Sequence, residues 1–301
     1  MIIVIPTRNR INKLLNTLNY LQNNKFFFKK IIIVDSSDMY LKRTLKEKIL
    51  NYHLNIRIID SKPSTCIQRN IGFNYINNEK FVMFLDDDIN FFSNAFKKMH
   101  TYLKNINNNI VGISFNLITK RNFNFIDLIK KNYIFDKIGF YKKGSGMISH
   151  SGWQTTFGNF KKNEIIEWMP TGAAIFRVNA IKKIRFEEKF GVYGYLEDLD
   201  FSLKLRKKGS LMVCSEAKFT HDVCEDRSSF NFGKKEFLNR YFIVKKYNFN
   251  KILFFIVFFL RVVLTFITAL SGNANYVKRF LGNLHALFNY SRLNHKTNKT
   301  L

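Results

Sequence analysis

An α/β fold, built on a mostly parallel sheet flanked by helices and extended by a helical C-terminal appendage, is predicted by three observations. Four short apolar runs, Ile2 to Ile5, Ile31 to Val34, Ile56 to Ile59 and Phe81 to Leu85, alternate with helix-like segments in the first 90 residues. That is the βαβ rhythm of a parallel sheet covered on both faces. Each run is followed by polar residues, namely Pro6-Thr7-Arg8, Asp35, Asp60 and Asp86-Asp87-Asp88, and in open α/β sheets ligands bind beyond the carboxyl ends of the strands. Past Lys251 the composition turns apolar, with 15 of the 19 positions from Ile252 to Leu270 being Ile, Leu, Phe or Val.

The elements follow in order. Leu14, Leu15, Leu18 and Leu21 recur at helical spacing behind the first run, and Ile67, Ile71 and Tyr75 repeat every fourth residue after Ser64, a capping residue. From about residue 120 to 165 the pattern weakens, and Gly144, Gly146, Gly152 and Gly158 punctuate a polar stretch around Trp153 that reads as a mobile loop. Order returns with Trp168 to Phe176, a helix near Ile181, a helix from Tyr195 to Lys208 stopped by Gly209, and a strand from Leu211 to Cys214. Phe280, Leu281, Leu284, Leu287 and Phe288 then mark an amphipathic helix. Neither a GxGxxG nor a GxxxxGK[ST] sequence follows the first strand, so a dinucleotide fold and a P-loop are both unsupported.

Lys and Arg number 49 against 22 Asp and Glu, a formal charge of +27 that draws some polyanion, whether nucleic acid, anionic lipid or a phosphorylated ligand. Cys66, Cys214 and Cys224 have no metal-ligand spacing and leave an odd count, which fits ordinary thiols in a reducing compartment. Met1 to Pro6 reads as a strand and not as a signal peptide, so the expected location is the cytoplasm.

Against that positive background, six of the 22 acidic residues lie in two knots, Asp86-Asp87-Asp88 and Glu197, Asp198, Asp200. Like charges packed after a buried strand are relieved by protonation or by a cation. Hard oxygen ligands favour Mg²⁺ or Mn²⁺, which bind the diphosphate of a nucleotide. Taken alone, Glu197 to Asp200 reads as an acidic helix start placed by the helix dipole. Only the two knots together predict a site.

These segments resemble the family-2 nucleotide-sugar glycosyltransferases of GT-A fold. The resemblance covers about residues 1–225. It rests on Ile5-Pro6-Thr7-Arg8-Asn9-Arg10, Val34-Asp35-Ser36-Ser37, Arg69-Asn70-Ile71-Gly72, Leu85-Asp86-Asp87-Asp88 and the run from Trp168 to Gly209, with Thr171-Gly172-Ala173-Ala174, Phe186-Glu187-Glu188 and Glu197-Asp198-Leu199-Asp200-Phe201 in order. It implies that Pro6, Thr7, Arg8 and Asp35 surround the donor base, that Arg69 and Asp86 approach ribose and phosphates, and that Asp87 and Glu197 belong to the donor site. It further implies metal ligation by Asp86, Asp88 and His221, and Asp198 as catalytic base. Arg8 departs from the aromatic residue common at its position, although a guanidinium also stacks on bases. Cys66 and Ile184 depart from a small residue and a glycine; these differences bear on donor preference.

The implied reaction is transfer of a sugar with inversion from a UDP or dTDP donor to a glycan or lipid-linked acceptor, in cell-surface polysaccharide or glycoconjugate synthesis. The implied domains are a catalytic domain over 1–230, with a nucleotide-binding half (1–90) and an acceptor half (91–230), and a helical tail over 231–301. Two other readings compete: a nucleotidyltransferase acting on sugar phosphates, disfavoured by the Glu197-Asp198 segment, and a basic nucleic-acid-binding protein, disfavoured by the acidic knots. In the tail, the apolar run favours a bilayer and Arg261 opposes it. With basic residues on both flanks, a helix lying in or dipping into the cytoplasmic face of a membrane satisfies the pattern better than a span.

Overall fold

A computed structural model describes residues 1–119, 133–192, 194–222, 227–270 and 275–297. The chain divides into two compact units, one formed by Met1–Arg121 with Thr156–Asp222 and the other by Asn122–Thr155 with Val223–Leu301. Residues 122–155 therefore group with the helical segment, although in sequence they interrupt the α/β unit.

The α/β unit opens with β1 (Ile2–Thr7), α1 (Ile11–Asn23), β2 (Lys30–Asp35), α2 (Met39–Ile49), β3 (Ile56–Asp60), α3 (Thr65–Phe73) and β4 (Phe81–Leu85). It continues with β5 (Ile89–Phe91), α4 (Ala95–Lys104), β6 (Ile110–Leu117), β7 (Glu164–Ile166), β8 (Ala173–Arg177), α5 (Glu197–Leu205) and β9 (Ser210–His221). The nine strands run β3-β2-β1-β4-β8-β6-β9-β5, with β7 on β9. The first four apolar runs pair in parallel, as their rhythm predicts. β8 then enters antiparallel between β4 and β6, and β5 and β7 flank β9 antiparallel, so the sheet is mixed.

Strand alternation covers both faces. Ile3, Ile5, Ile31 and Ile33 pack with Leu14, Leu18 and Leu21 of α1 and Phe96 and Met99 of α4. On the opposite face Phe84 meets the rings of Phe73, Phe186 and Phe201 at 5.2–6.3 Å. Gly72 lets α3 approach β1, since a Cβ there would lie 2.3 Å from Cγ1 of Val4.

The Ser64 cap forms, accepting from the Ile67 amide at 3.4 Å. The row Ile67, Ile71, Tyr75 is not the buried face of α3, however; Cys66, Gln68, Arg69, Gly72 and Phe73 are. A buried guanidinium with three carboxylate partners outweighs the apolar row, whose Ile67 and Ile71 line a cleft of about 870 Å³ with Arg185 and Phe186. Cys66 and Cys214 are buried free thiols, and Cys224 lies outside the described residues.

The helical unit contains α6 (Phe230–Lys246), α7 (Lys251–Leu270) and α8 (Asn275–Thr297). Its core gathers Tyr141, Trp153, Phe237, Phe254 and Phe258. Of the expected loop, residues 120–132 lie outside the described part. The remainder opens with a short helix over Tyr133–Lys137, is irregular from there to β7, and buries Trp153 to 6% exposure under the Arg240 guanidinium, 3.8 Å from its ring. One charged cluster sits inside this unit: Glu236, 1% exposed, is bonded by Arg279 at 2.8 Å, Arg261 at 3.3 Å and Asn283 at 3.2 Å.

Candidate functional site

The site forms where β1, β2 and β4 end and α5 begins. Asp86, Asp87 and Asp88 form the turn between β4 and β5, and one Arg10 nitrogen reaches both Asp87 at 3.2 Å and Asp88 at 2.7 Å. Asp87 is 4% exposed and accepts from Thr7 Oγ1 at 2.6 Å and Arg10 at 3.2 Å, while Thr17 Oγ1 bonds its carbonyl at 3.0 Å. It thus ties the aspartate turn to β1 and α1. Burial, reinforced by the charges of Asp88 and Asp86, pushes its carboxyl up to about 6, against the pull of Arg10 and Thr7.

Asp88 meets His221 because of strand register. β5 begins immediately after the aspartates and pairs antiparallel with β9, setting Ile89 opposite His221. His221 Nε2 is 2.8 Å from Asp88 Oδ1, while Arg10 holds Asp88 Oδ2 at 2.7 Å. Burial opposes ionisation of Asp88, but the His221 bond and charge, with Arg10 and Lys13, outweigh it and lower its pKa. Burial likewise opposes the charged form of His221, and the Asp88 bond with the Asp86 and Asp88 charges raises it. One ligand atom from each of Asp86, Asp88 and His221 lies within 4.8 Å of the others. Two carboxylates and an imidazole converging at that spacing fit a divalent cation such as Mg²⁺ or Mn²⁺.

The second acidic knot is joined to the first through Arg69. Its guanidinium, 2% exposed, reaches Asp86 at 2.8 Å, Asp198 at 3.4 Å and Glu197 at 3.7 Å. Thr171 Oγ1 donates a short hydrogen bond to Asp198. Leu196, directly before α5, has φ +74 in the left-handed region, a strain of about 1–3 kcal/mol for a residue other than glycine. This twist sets the direction in which Glu197 and Asp198 leave the helix start. Burial is the main force raising both carboxyls, each opposed by Arg69, and repulsion from Asp198 helps push Glu197 to about 8.

Gly172 supplies the remaining room. A Cβ on it would stand 2.1 Å from Asp86 Oδ2, and the Asp86 amide donates to the Gly172 carbonyl at 2.7 Å. Neither Gly172 nor Arg10 is singled out by charge pattern. Asking which cation offsets three adjacent aspartates would have pointed to Arg10.

Away from this cluster, Asp35 stands opposite Thr7 at the end of β2. It is fully buried; Oδ1 accepts from the Ser37 amide at 2.8 Å and Oδ2 has no partner among the described residues. Gln68 holds the two strand ends in place by donating to the carbonyls of Thr7 and Val34 at 2.8 and 2.7 Å. Pro6 is buried within β1, opposite Val34, and Arg8 is half-buried at the start of the following turn. Asp60 lies apart on edge strand β3, exposed and paired with Lys42 at 3.0 Å. Asp200, fully buried, is bonded by Lys204 at 2.7 Å.

A mixed sheet flanked by helices, with an acidic crevice beyond its strand ends, defines an α/β protein of GT-A type. The family model for glycosyl transferase family 2 matches residues 2–185, and the chain belongs to that family. Among solved structures, S. aureus TarS 1-349 in complex with UDP-GlcNAc is similar at a TM-score of 0.51 and 17% identity, over 78% of this chain and 63% of that one. GalNAc-T7 with UDP, GalNAc and Mn²⁺ is similar at 0.53 and 14%, over 73% of this chain and 42% of that one. The chain thus spans less than two thirds of each of these solved chains. No curated protein sequence matches it.

Gly172→Ala is expected to displace the Asp86 carboxylate from Arg69 and cut the transfer rate by about 10²-fold, the effect of an ångström-scale misplacement. Turnover measured beside a thermal melt checks it: a large loss of rate with a small shift in Tm is the expected pair, and unchanged turnover would detach Gly172 from the site.

Proposed function

We propose that this glycosyltransferase moves a sugar from a UDP or dTDP donor, with inversion, to a glycan or lipid-linked acceptor, in cell-surface polysaccharide or glycoconjugate synthesis. The observation that carries this reading is the meeting of the two acidic knots on Arg69, which joins Asp86 to Asp198. UDP is the first choice of donor, the nucleotide named with both solved neighbours.

Each residue then has a physical task. Asp35 Oδ2, buried without a partner among the described residues, is an acceptor for an imide N–H of the donor base. Pro6, Thr7 and Arg8 border that base, the Arg8 guanidinium stacking on it. Arg69 and Asp86 orient ribose and phosphates, with Asp87 holding the turn beneath them and Glu197 beside the sugar. Asp86, Asp88 and His221 hold the divalent cation, which when bound neutralises charge developing on the diphosphate leaving group. Asp198, with a raised pKa, accepts the acceptor hydroxyl proton as general base on the side opposite the leaving group. Burial and repulsion from Asp198 push the Glu197 carboxyl up to about 8, so it is largely protonated at neutral pH. The tail meets the cytoplasmic face of a membrane, where a lipid-linked acceptor is presented.

Incubation with a panel of nucleotide sugars and Mn²⁺ tests the reading, with release of nucleoside diphosphate expected. Pyrophosphate release would replace it with nucleotidyl transfer. Asp88→Asn is expected to abolish cation-dependent donor binding in calorimetry while leaving the fold intact, because one charged ligand of three is lost. Parental binding of donor and Mn²⁺ by this variant would overturn the ligand set.

A further inference from the structure

The helix α7 is apolar all round in sequence but two-faced in the structure. Phe254, Val257, Phe258, Val262 and Ala269 are buried in the helical unit. Ile252, Ile256, Phe259, Val263, Phe266 and Leu270 are 73%, 41%, 60%, 38%, 43% and 71% exposed. At about 100° per residue these six fall within about 40° of one direction, and Arg261 falls on the opposite side. The row is about 27 Å long at the helical rise, and a continuous apolar face of that kind marks an interaction surface.

Charge identifies what covers it. From Arg227 to Leu301 there are thirteen Lys and Arg against one acid, Glu236, and that acid is consumed internally by Arg261 and Arg279. Lys245, Lys246, Lys251 and Lys278 are exposed. A second copy of this chain would bring like charge against like, and a nucleic acid would leave the apolar row in water. An anionic bilayer satisfies both features. Crossing it is another matter: the buried face of α7 is held through Arg261 to Glu236 on α6, a helix bearing five Lys and Arg. A span would have to abandon that pair or carry α6 with it.

We infer that the exposed row of α7 is an interfacial docking face for a bilayer with anionic headgroups, and that the helix lies in the membrane plane with Arg261 turned inward. This rests on the membrane reading above and is independent of the catalytic assignments. The half-sunk helix places its outer side chains about 5–10 Å into the headgroup and acyl boundary.

Sedimentation of the full chain with vesicles of equal parts phosphatidylcholine and phosphatidylglycerol, and with phosphatidylcholine alone, tests this. Binding to the anionic vesicles is expected. The double variant Ile252→Glu/Phe259→Glu should lower it more than about tenfold, with far-UV circular dichroism, Tm and nucleoside diphosphate release unchanged. Both positions are more than half exposed, so the fold does not depend on them. Phe259→Trp, read as a difference from the parent, should be quenched by shallow and not by mid-bilayer lipid quenchers. Absence of binding to any vesicle overturns both this inference and the membrane reading while leaving catalysis standing. Binding that the double variant retains overturns the face alone. Quenching at the bilayer centre means a span, equal binding to neutral vesicles removes the charge argument, and dimerisation abolished by the double variant assigns the row to a second copy; each of these overturns the inference.

Discussion

Asp198→Asn is expected to lower sugar transfer by about 10² to 10⁴-fold, the usual contribution of a positioned general base and the role proposed for Asp198, and to leave donor affinity within a few-fold of the parent. The asparagine oxygen can still accept from Thr171, and Arg69 keeps Asp86 at 2.8 Å and Glu197 at 3.7 Å, so the site remains assembled. The pH profile adds a second readout. Burial raises the Asp198 pKa above that of a free aspartate, and a base works only when ionised, so parental turnover should rise with pH through that raised value. The variant should lose this limb. Calorimetry with UDP and Mn²⁺ beside steady-state rates separates binding from chemistry. Near-parental turnover would move the base to Glu197, since Asp200 is fully buried and bonded to Lys204.

Glu236→Gln is expected to destabilise the helical unit by about 3–5 kcal/mol, because Arg279 at 4% exposure and Arg261 lose the buried carboxylate that they share. In a thermal melt the transition of this unit should fall by roughly 12–20 °C. Acid gives the same group an independent test. Burial alone would raise the Glu236 pKa, but Arg261, Arg279 and Arg240 more than compensate and hold it at about 2. A carboxyl depressed in the folded state stabilises fully above its unfolded pKa. That contribution, present above about 4.5, is lost as pH falls toward 2. The parent should therefore weaken across this window, and the variant should show a smaller change. An unaltered melting curve for the glutamine variant would show that the cluster is not what holds the three helices together.

Much of this molecule is written locally. Apolar runs such as Ile2 to Ile5 and Phe81 to Leu85 specify buried strands by their own composition, and Ser64 specifies the start of α3 through a bond three residues away. The strand-end aspartates and the Glu197-Asp198 pair were legible because charge in a basic chain stands out, and because both fall in ordered family segments.

Tertiary structure alone decided the rest, because it depends on pairings between residues far apart in the chain. The register of β5 on β9 brings His221 to Asp88 across 133 residues, and β8 inserts antiparallel between β4 and β6. Helical spacing picked out Ile67 and Ile71 and so the helix α3, but not that Arg69 is on its buried side, since the ion pairs of Arg69 with Asp86, Glu197 and Asp198 exist only once α5 is in place. Arg261 follows the same logic. In sequence it is a charge spoiling an apolar segment, whereas in the folded unit it is the partner of Glu236, 25 residues earlier. Local sequence determines which segments are strands, helices and charged turns; the energies of burial, register and ion pairing between distant segments determine which side chains meet.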